Sequence, residues 1–542
     1  MANDLNEDGY MDLVLTIQDL SNNKVSTQVY IMNPNTHSFD LRYTIDNSPQ
    51  NLFVLDLGDN RGINLLLYKD GKRIFVSFDQ NGTPTENDFS TLIPSNLNLC
   101  DASAKHNQFE ILSPNSNGYV DIDGDCLNDI LIMSIDKSTN KRYLEIWKGI
   151  IENDKIRYCL TSSNVYELDN SLGLFTIVDI DRNAMPDLVF PVLNSSPPKI
   201  VIAYNKVPIE YDWIDNYCDN HEPIKLTSNS NANIPTMFDQ IKIDLNNNYV
   251  STITLINDNQ LTFYNGENGA LNYYPTYLHF IDINQDSYPD FSTVLYNKSS
   301  QSKTPYIFYS QEILYNSGFS GFERRTFSKE HMETFSFISN AVTSSFFDFG
   351  DKGKMGLIVL DSAMNSIGLY NHNIYDTYSM KSFLLFRTNC FYCNELGSTQ
   401  RFITTNIDGT RRMDLSIQAA QPSIIGGLTQ PFAYIGIGRS NNYIENFHII
   451  SGTEEIRSDN DKVYTPVIPN SQLVIFHDSK EGSTETTWKV DLIVKPTKNL
   501  KLLIFVIVLM IIIMTAVAAY LQMKEREEDS LENKETFAPW FG

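Results

Sequence analysis

Two hydrophobic patterns divide the chain. Over most of its length, short apolar runs alternate with acidic and turn-forming residues, a pattern typical of β-strands. Residues 502–521 (LLIFVIVLMIIIMTAVAAYL) instead form an apolar run without a single charge. At a rise of about 1.5 Å per residue, a helix of this length crosses the ~30 Å hydrocarbon core of a bilayer. The pattern therefore predicts an all-β protein with one C-terminal transmembrane helix.

An acidic motif, D-x-[DN]-x-[DN]-x-x-x-D, stands directly before several of the apolar runs. Complete copies begin at Asp4, Asp121, Asp179 and Asp282. Each copy is followed by a β-prone run, such as ILIM after the second one. The residues at positions 1, 3, 5 and 9 of these copies are Asp4, Asn6, Asp8, Asp12, Asp121, Asp123, Asp125, Asp129, Asp179, Asp181, Asn183, Asp187, Asp282, Asn284, Asp286 and Asp290.

Calcium chemistry explains this spacing. Ca²⁺ takes about six to eight oxygen ligands at roughly 2.3–2.6 Å. Side chains at positions 1, 3 and 5 of a tight loop can converge on one point, and the Asp at position 9 closes the cage from the next strand. The backbone carbonyl of position 7 is a further expected ligand, at Tyr10, Leu127, Met185 and Tyr288. We therefore predict about four calcium sites in β-hairpin loops, since ordinary acidic turns would not repeat position 9.

Degenerate copies of the motif begin at Asp56, Asp244 and Asp348. The first two have lost charge, so we expect them to bind metal weakly or not at all. In the third, Lys352 occupies position 5, and an ammonium group is expected where the other loops hold a metal. In a possible eighth copy, residues 406–414, Asn406 and Thr410 replace acids although Asp414 keeps position 9, so we expect a poor metal loop that forms a hairpin turn.

The seven motif starts are far enough apart for about four short strands each, which indicates a β-propeller. The motif resembles the FG-GAP repeats of integrin α-chains. That resemblance implies a seven-bladed propeller, here residues 1–386, with calcium loops on one face. In such a blade the loop lies between strands, yet the first loop begins at residue 4 and no signal peptide precedes it. We therefore expect an N-terminal segment to be missing.

The chain after the propeller predicts a small β-sandwich over residues 387–497. Its expected strands are 401–405, 413–417, 432–437, 443–450, 473–476 and 488–494. The segments FAYIGIGRSNNYIENF (432–447) and IPNSQLVI (468–475) resemble the membrane-proximal region of the T-cell immunomodulatory protein family. The resemblance covers essentially the whole chain. It implies an FG-GAP propeller, a β-rich membrane-proximal domain, one span and a short cytoplasmic tail, here residues 522–542.

Membrane topology is inferred from size, because basic residues flank the apolar run on both sides. Almost the whole chain precedes the run, which favours a type I protein with its large part extracellular or lumenal. Sequons at Asn81, Asn194 and Asn297 suit a glycosylated ectodomain. Residence in the plasma membrane and residence in the secretory pathway are both compatible with these features.

The net charge of −25 bears on possible partners. An acidic surface repels phosphate backbones, so no nucleic-acid partner is expected. Among six cysteines, Cys390 and Cys393 form a C-x-x-C pair. We interpret this pair as a local disulfide, with a redox-active pair as the alternative.

Common catalytic motifs are missing from the sequence. The sequence has no H-E-x-x-H, no G-x-S-x-G and no phosphate-binding loop, so we predict that the protein is not an enzyme. The leading hypothesis is a membrane-anchored protein whose calcium-stabilised propeller recognises an extracellular or lumenal protein or glycan, in adhesion or immunomodulatory signalling. The alternatives are a chaperone or trafficking component of secretory membranes and a hydrolase built on a propeller.

Overall fold

The computed structural model separates the chain into two compact units, residues 1–493 and 494–542, which are described separately below. It describes residues 2–6, 8, 10, 12–18, 25–33, 35–46, 53–57, 63–95, 99–114, 116–153, 155–205, 249–265, 276–312, 325–349, 353–363, 365–369, 377–387, 392–405, 409, 411–421, 430–438, 443–452, 461–479, 486–493 and 500–537.

Up to residue 369, the described residues of the first unit form six antiparallel sheets that follow one another along the chain, plus one short ribbon. The first two sheets contain β1 (Ala2–Asn3), β2 (Asp12–Gln18), β3 (Val25–Asn33) and β4 (Ser38–Asp46), then β5 (Phe53–Asp56), β6 (Ile63–Lys69), β7 (Lys72–Phe78) and β8 (Pro84–Asp88). The third contains β9 (Glu110–Ile111), β10 (Gly118–Val120), β11 (Asp129–Asp136), β12 (Lys141–Glu152), β13 (Lys155–Cys159) and β14 (Val165–Leu168).

The remaining three sheets repeat the same meander. They contain β15 (Thr176–Val178), β16 (Asp187–Val192), β17 (Lys199–Ala203) and β18 (Val250–Thr254), then β19 (Leu261–Phe263), β20 (His279–Ile281), β21 (Asp290–Asn297), β22 (Ser302–Phe308) and β25 (Met332–Thr334), then β26 (Ala341–Phe347), β27 (Gly356–Asp361) and β28 (Ser366–Leu369). The ribbon pairs β23 (Gln311–Glu312) with β24 (Arg325–Thr326). Short helical turns cover Phe89–Leu92, Ser162–Asn164, Lys329–His331 and α1 (Ser103–His106).

Each complete acidic motif connects a short strand to a longer one. In the third sheet Val120, which precedes position 1, pairs with Asp129 at position 9. The same register joins the corresponding residues of the other complete motifs, which are Asn3 with Asp12, Val178 with Asp187, and Ile281 with Asp290. The prediction that these motifs are β-hairpin loops is therefore confirmed.

Successive sheets pack face to face through apolar residues. One core joins the first three sheets, with Val29, Leu66 and Trp147 among its members, and further cores join the third sheet to the fourth, the fourth to the fifth and the fifth to the sixth. Because the long strands are buried on both faces, they read as nearly continuous apolar runs. Each fully buried Leu or Ile contributes roughly 1.5–3 kcal/mol to folding.

The degenerate copy at Asp244 does not begin a sheet of its own, contrary to our prediction. The copy itself lies largely outside the described residues, but the strand after it, β18, pairs with β17 as the fourth strand of the sheet that begins with the Asp179 motif.

Residues 377–493, called the C-terminal domain below, form two further sheets around a common core. One contains β29 (Tyr378–Arg387), β30 (Tyr392–Asn394), β33 (Ala433–Gly438), β36 (Gln472–Ser479) and β37 (Thr486–Ile493), and the other β31 (Thr399–Thr405), β32 (Arg411–Ile417), β34 (Asn446–Ile450) and β35 (Asp461–Tyr464). Their shared core includes Leu384, Phe402, Phe447 and Ile475.

The strands predicted for this region are confirmed, and the hairpin turn near residue 409 joins β31 to β32. The strand β29 belongs to a different sheet from the one that the sequence predicts. The prediction places residues up to 386 in the propeller, whereas β29 pairs with β33 and, in parallel, with β36. Its partners lie far ahead in the chain, so its sheet could not be read from the local pattern.

The second unit contains α2 (Leu500–Phe537). Among the described residues, this is the helix long and apolar enough to cross a membrane, over Ile504–Glu532. Its side chains are exposed along this stretch, as expected for a surface that faces lipid. The prediction of a single apolar C-terminal helix is confirmed.

Covalent features lie mainly in the third sheet. Cys100 and Cys159 form a disulfide, and Cys126, inside the Asp121 loop, is also disulfide-bonded. The predicted Cys390–Cys393 pair falls outside the described residues, since Cys390 and the side chain of Cys393 are not described.

Candidate metal centre

The four complete loops share one set of hydrogen bonds, which follows from the motif. The position 1 carboxylate accepts the backbone N–H of position 5 at 3.0–3.1 Å. The position 5 side chain accepts the N–H of position 7 at 2.8–3.0 Å. The position 9 carboxylate accepts the N–H of position 2 at 2.8–3.3 Å. Positions 1, 5 and 9 therefore organise the loop backbone through hydrogen bonds, and the position 3 side chain takes no part in this shared set.

Position 9 makes a second contact that joins each loop to its sheet. Its other oxygen accepts a backbone N–H about twenty residues further on, at 2.7–2.8 Å. The donors are Met32, Gly149, Asn205 and Ser310. This bond explains why Asp recurs at position 9, independently of any metal.

The loops also contain strained backbone. In three of them, positions 4 and 6 have positive φ, as in Arg182 (58°) and Ala184 (62°) of the Asp179 loop. Non-glycine residues in this region cost about 1–3 kcal/mol each unless the surroundings hold them there. A central cation that binds the alternate side chains would offset this cost.

The Asp179 loop brings three carboxylates together. Ligand oxygens of Asp179, Asp181 and Asp187 lie within 4.8 Å of one another, and all three side chains are buried. Two ligands of one Ca²⁺ ion are at most about 5 Å apart, so this spacing fits a single ion. Among the described residues, no lysine or arginine lies within ion-pair distance of Asp179 or Asp187. Burial, followed by neighbouring carboxylates, raises the pKa of both groups well above the usual range.

The Asp121 loop has the same carboxylate cluster but already contains a cation. The Lys148 ammonium lies 2.5 Å from Asp129 Oδ2 and 2.6 Å from Asp123 Oδ2, and its side chain is fully buried. Although burial alone would lower it, the pKa of Lys148 is raised by these carboxylates, so the ammonium stays charged. Burial raises the pKa of Asp129 to about 8, and Lys148 opposes that rise.

A second cation approaches the Asp121 loop from the C-terminal domain. Arg401 Nη2 lies 3.9 Å from Asp121 Oδ2, and both side chains are almost fully buried. Two oxygens of the loop, Asp123 Oδ1 and Asp125 Oδ2, are buried without a hydrogen bond to any described residue. Lys148 and Arg401 therefore neutralise only part of the loop's negative charge.

The Asp282 and Asp4 loops are less compact as metal cages. Their acidic side chains take part in the shared hydrogen bonds. In the part of the chain described, however, the carboxylates of these two loops do not form a cluster of three. Burial, followed by Asp286 and Asp290, raises the pKa of Asp282. Burial is also the main reason that the pKa of Asp12 rises to about 6. The position 7 carbonyls of all four loops remain predicted ligands.

The degenerate Asp348 loop faces a lysine from another strand, and the prediction for Lys352 stays untested. Lys381, from β29, has its ammonium 3.6 Å from Asp348 Oδ2, whereas Lys352 lies outside the described residues. Residues 58–62 of the Asp56 loop and most of the Asp244 copy are also outside them. In the possible eighth copy, Asp414 pairs with Arg182.

Sequence reasoning missed Lys148, although a signal for it exists. The backbone N–H that ties position 9 belongs to Gly149, and Lys148 is the residue before it. The residues before the other three donors are Ile31, Tyr204 and Tyr309, none of which carries a positive charge. A lysine about nineteen residues after position 9 therefore marks a loop that supplies its own cation.

The C-terminal domain covers the Asp121 loop with backbone contacts. Asn128, at position 8, donates its N–H to Gly452 O at 3.0 Å and its side-chain amide to Leu396 O at 3.2 Å. A Cβ at Gly452 would overlap the Asn128 side chain, so a glycine is required for this approach. We call this set of contacts, together with Arg401–Asp121, the Asp121 flank.

The same domain contacts the next two loops through their position 4 side chains. Arg182 Nε lies 2.5 Å from Asp414 Oδ1, and both side chains are more than nine-tenths buried. Gln285, at position 4 of the Asp282 loop, donates to the Tyr434 hydroxyl at 2.8 Å. Gly436 lies so close to the Asp282 carboxylate that a Cβ there would overlap it. We call these contacts the Asp179 flank.

Gln421 joins the domain to β15 and to the residues just before β10 and β15. Its side-chain oxygen accepts the N–H of Ile177 at 3.0 Å, and its amide donates to Ser116 O at 2.7 Å and to Phe175 O at 3.2 Å. Beside it, a cavity of about 210 Å³ is lined by residues of the sheets and of the C-terminal domain, including Asp179 and Asp282. This cavity offers a route by which an ion could reach both loops.

A buried carboxylate outside the loops bears on the hydrolase alternative. Glu145 accepts hydrogen bonds from Ser134 and Arg73 and contacts His106 Nδ1 at 3.0 Å. Burial would raise its pKa, but Arg73 and His106 lower it to about 2. All four side chains are almost fully buried, and Arg73 pairs with both carboxylate oxygens. The cluster joins the second sheet to the third and offers no access for a substrate.

Known proteins resemble this chain over nearly its whole length. A family model described as "ITFG1, C2 domain" matches residues 391–493. A T-cell immunomodulatory protein homolog of Plasmodium yoelii yoelii is 25% identical over 98% of this chain and 80% of its own length. The chain is therefore similar to the T-cell immunomodulatory proteins over almost its whole length. A homolog of Plasmodium falciparum (isolate 3D7) is 23% identical over 98% of this chain and 78% of its own length.

The mammalian T-cell immunomodulatory proteins match a smaller part of the chain. The mouse protein is 24% identical over 48% of this chain and 45% of its own length. The resemblance to the T-cell immunomodulatory protein family that we described from the sequence is confirmed. The matched C2 domain begins after β29, which the structure places in the same sheet as β33 and β36.

Proposed function

We propose that this chain is a single-pass membrane protein whose calcium-stabilised β-rich part recognises a protein or glycan outside the cell or in the secretory lumen. The apolar helix Ile504–Glu532 supports the membrane anchor. The relationship to the T-cell immunomodulatory proteins supports a recognition role.

We further propose that the six consecutive sheets are blades of an FG-GAP type propeller. Three features support this arrangement. Each sheet is an antiparallel meander, neighbouring sheets share apolar cores, and the complete acidic loops occupy equivalent positions between a short and a long strand. A propeller places equivalent loops on one face.

The observation that carries the calcium proposal is the Asp179 cluster. Three buried carboxylates whose oxygens lie within 4.8 Å form an all-oxygen donor set of the kind Ca²⁺ prefers. The Asp282 and Asp4 loops are weaker candidates, because their carboxylates are more dispersed. In the Asp121 loop we propose that Lys148 takes the place of the ion. Calcium then stiffens loops and is not itself the partner's binding site.

Glycosylation is proposed for two of the three sequons. Asn81 and Asn194 are exposed in turns, whereas Asn297 is half-buried and its side chain accepts the backbone N–H of Ser299 at 2.9 Å. Carbohydrate at Asn81 and Asn194 fits the proposed extracellular or lumenal location.

The calcium proposal is tested by titrating the full chain in detergent with calcium and following heat release and thermal unfolding. Calcium at ten times its Kd stabilises a protein by about 1.4 kcal/mol for each site. We expect Asp181→Asn to remove most of this increment. The matched variant Asp123→Asn, in the loop that holds Lys148, should leave the increment unchanged. Equal losses in both variants, or no calcium binding at all, would contradict the proposal.

The recognition role needs a separate test. Affinity purification of the tagged protein from its native cells, in calcium and in chelator, should recover the same partner with a lower yield in chelator. Recovery only of general chaperones of the secretory pathway would instead support the trafficking alternative.

A further inference from the structure

The two flanks of the C-terminal domain are held by different chemistry. At the Asp121 flank, Asn128 donates to backbone carbonyls of the domain and Arg401 pairs with Asp121, in a loop that Lys148 also neutralises from its own sheet. At the Asp179 flank, the contacts come from the position 4 side chains Arg182 and Gln285. Cations of the chain therefore already pair with carboxylates of the Asp121 loop, whereas the Asp179 flank depends on where two loops place their position 4 side chains.

Position 4 links loop shape to domain contact. It lies between positions 3 and 5, which would both bind the metal, and its φ is positive in Arg182 (58°) and Gln285 (59°). Because a left-handed backbone conformation is costly for these residues, it persists only while the neighbouring ligands are held in place. A change at positions 3 and 5 therefore redirects the position 4 side chain.

The Arg182 side chain shows how far that effect extends. Its guanidinium carbon lies 4.2 Å from the centre of the Tyr288 ring, in the Asp282 loop, while Nε contacts Asp414 in the C-terminal domain. Arg325 stacks on the same ring at 3.5 Å. One arginine thus connects both candidate calcium loops to the domain.

We propose that calcium in the Asp179 and Asp282 loops controls how firmly the Asp179 flank holds the C-terminal domain, while the Asp121 flank holds it without metal. This inference rests on the calcium sites proposed above. Loss of calcium loosens the domain on one side only. The residues that become accessible are those around the 210 Å³ cavity, where Gln421 joins the domain to the sheets.

Hydrogen exchange measured by mass spectrometry on the full chain in detergent tests this inference. In chelator, we expect amides of β32 and β33, which face the Asp179 flank, to exchange on the order of tenfold faster than in millimolar calcium. Peptides that cover residues 396–401 and 449–452, at the Asp121 flank, should exchange at the same rate in both conditions.

Variants separate the two flanks. Gln285→Ala, a neutral change, should speed exchange in β33 even when calcium is present, and Arg182→Lys should do the same in β32. Asn128→Ala should speed exchange at 449–452 to the same extent with and without calcium. Arg42→Ala, at an exposed arginine of the first sheet, serves as the control and should change neither flank.

The outcomes are distinguishable. If calorimetry shows calcium binding but exchange changes at both flanks or at neither, the one-sided coupling is wrong while the calcium sites stand. If calorimetry shows no calcium binding, both the calcium sites and this inference are wrong.

Discussion

The Asp121 and Asp179 loops have the same backbone hydrogen bonds and differ in the source of the positive charge that faces their carboxylates. Both hold three carboxylates within 4.8 Å, and both tie position 9 to the next strand. In one, the opposite strand supplies Lys148, whereas in the other the corresponding residue is Tyr204. The comparison teaches that the acidic motif specifies the loop conformation and a cluster of negative charge that needs a counter-charge. The residue on the next strand determines whether that counter-charge is a lysine of the protein or a cation bound from solution.

The largest expected effect is at Lys148. Removing one partner of a buried ion pair costs about 3–5 kcal/mol, because the remaining carboxylates keep their burial without a counter-charge. Lys148→Met should lose about this much unfolding free energy in chelator. Calcium should restore part of the loss, since the position of the ammonium is vacated. Denaturant unfolding with and without calcium measures both effects.

The control for this variant is an exposed ion pair between a lysine and a glutamate. Lys141 contacts Glu167 at 2.8 Å, with about half of each side chain exposed. Lys141→Met should melt like the unmodified protein in both conditions, because solvent screens exposed pairs. If Lys148→Met gains no additional response to calcium, the idea that an ammonium substitutes for the ion fails.

The reverse exchange should produce a smaller effect. Tyr204→Lys places an amine in the Asp179 loop at the position that Lys148 occupies in the Asp121 loop. We expect the calcium-dependent increment of about 1–2 kcal/mol to disappear, because the ammonium competes for the same carboxylates. Calorimetric stoichiometry measures this loss. Tyr204→Phe should keep the increment, and a Tyr204→Lys protein that binds calcium normally would show that the two loops are not equivalent.

The smallest effect is the dependence of stability on pH without calcium. Burial and neighbouring carboxylates raise the folded-state pKa of Asp179 and Asp187 above the unfolded value of about 3.9. Between these values the folded protein binds more protons, so stability rises as pH falls. In chelator, the protein should therefore melt higher at about pH 5.5 than at about pH 7.5, and calcium should add less at the lower pH.

The pKa of another buried carboxylate, Glu145, is shifted in the opposite direction, and this limits the pH range of that measurement. Although burial raises it, the pKa of Glu145 is held at about 2 by Arg73 and His106, so this group stabilises the fold above its unfolded pKa, about 4.3. Its contribution is lost only as pH falls below that value. A melting temperature in chelator that rises steadily from about pH 5.5 to about pH 7.5 would contradict the assignment of raised pKa values to the Asp179 loop.

Local patterns were enough to predict the elements that local chemistry determines. The hairpin around Asp123, the strand Met413–Ile417 and the apolar helix were all evident from residue spacing, because each depends on neighbours within about ten residues. The β-hairpin reading followed from the Asp at position 9, whose bond to the next strand now gives it a structural reason.

The missed features all involve residues distant in the chain. Lys148 reaches the Asp121 loop only because β12 pairs with β11, and β29 joins the C-terminal domain through β36, almost a hundred residues later. The strand after Asp244 completes a sheet that began with Asp179. The pairings of β29 and β18 leave no local signal, since strand register is set by the whole sheet, and Lys148 is marked only by its spacing of nineteen residues from Asp129.

The bond between Arg182 and Asp414 has a consequence for synthesis. The two residues are 232 positions apart in the chain. At about 5–20 residues per second, a ribosome reaches Asp414 roughly 10–50 s after Arg182. Throughout that interval the nascent sheets expose the surface that the C-terminal domain later covers, and the Arg182 guanidinium lacks its carboxylate partner. Under the proposed lumenal location, calcium and chaperones of the secretory pathway would meet this incomplete form before any partner of the mature protein does.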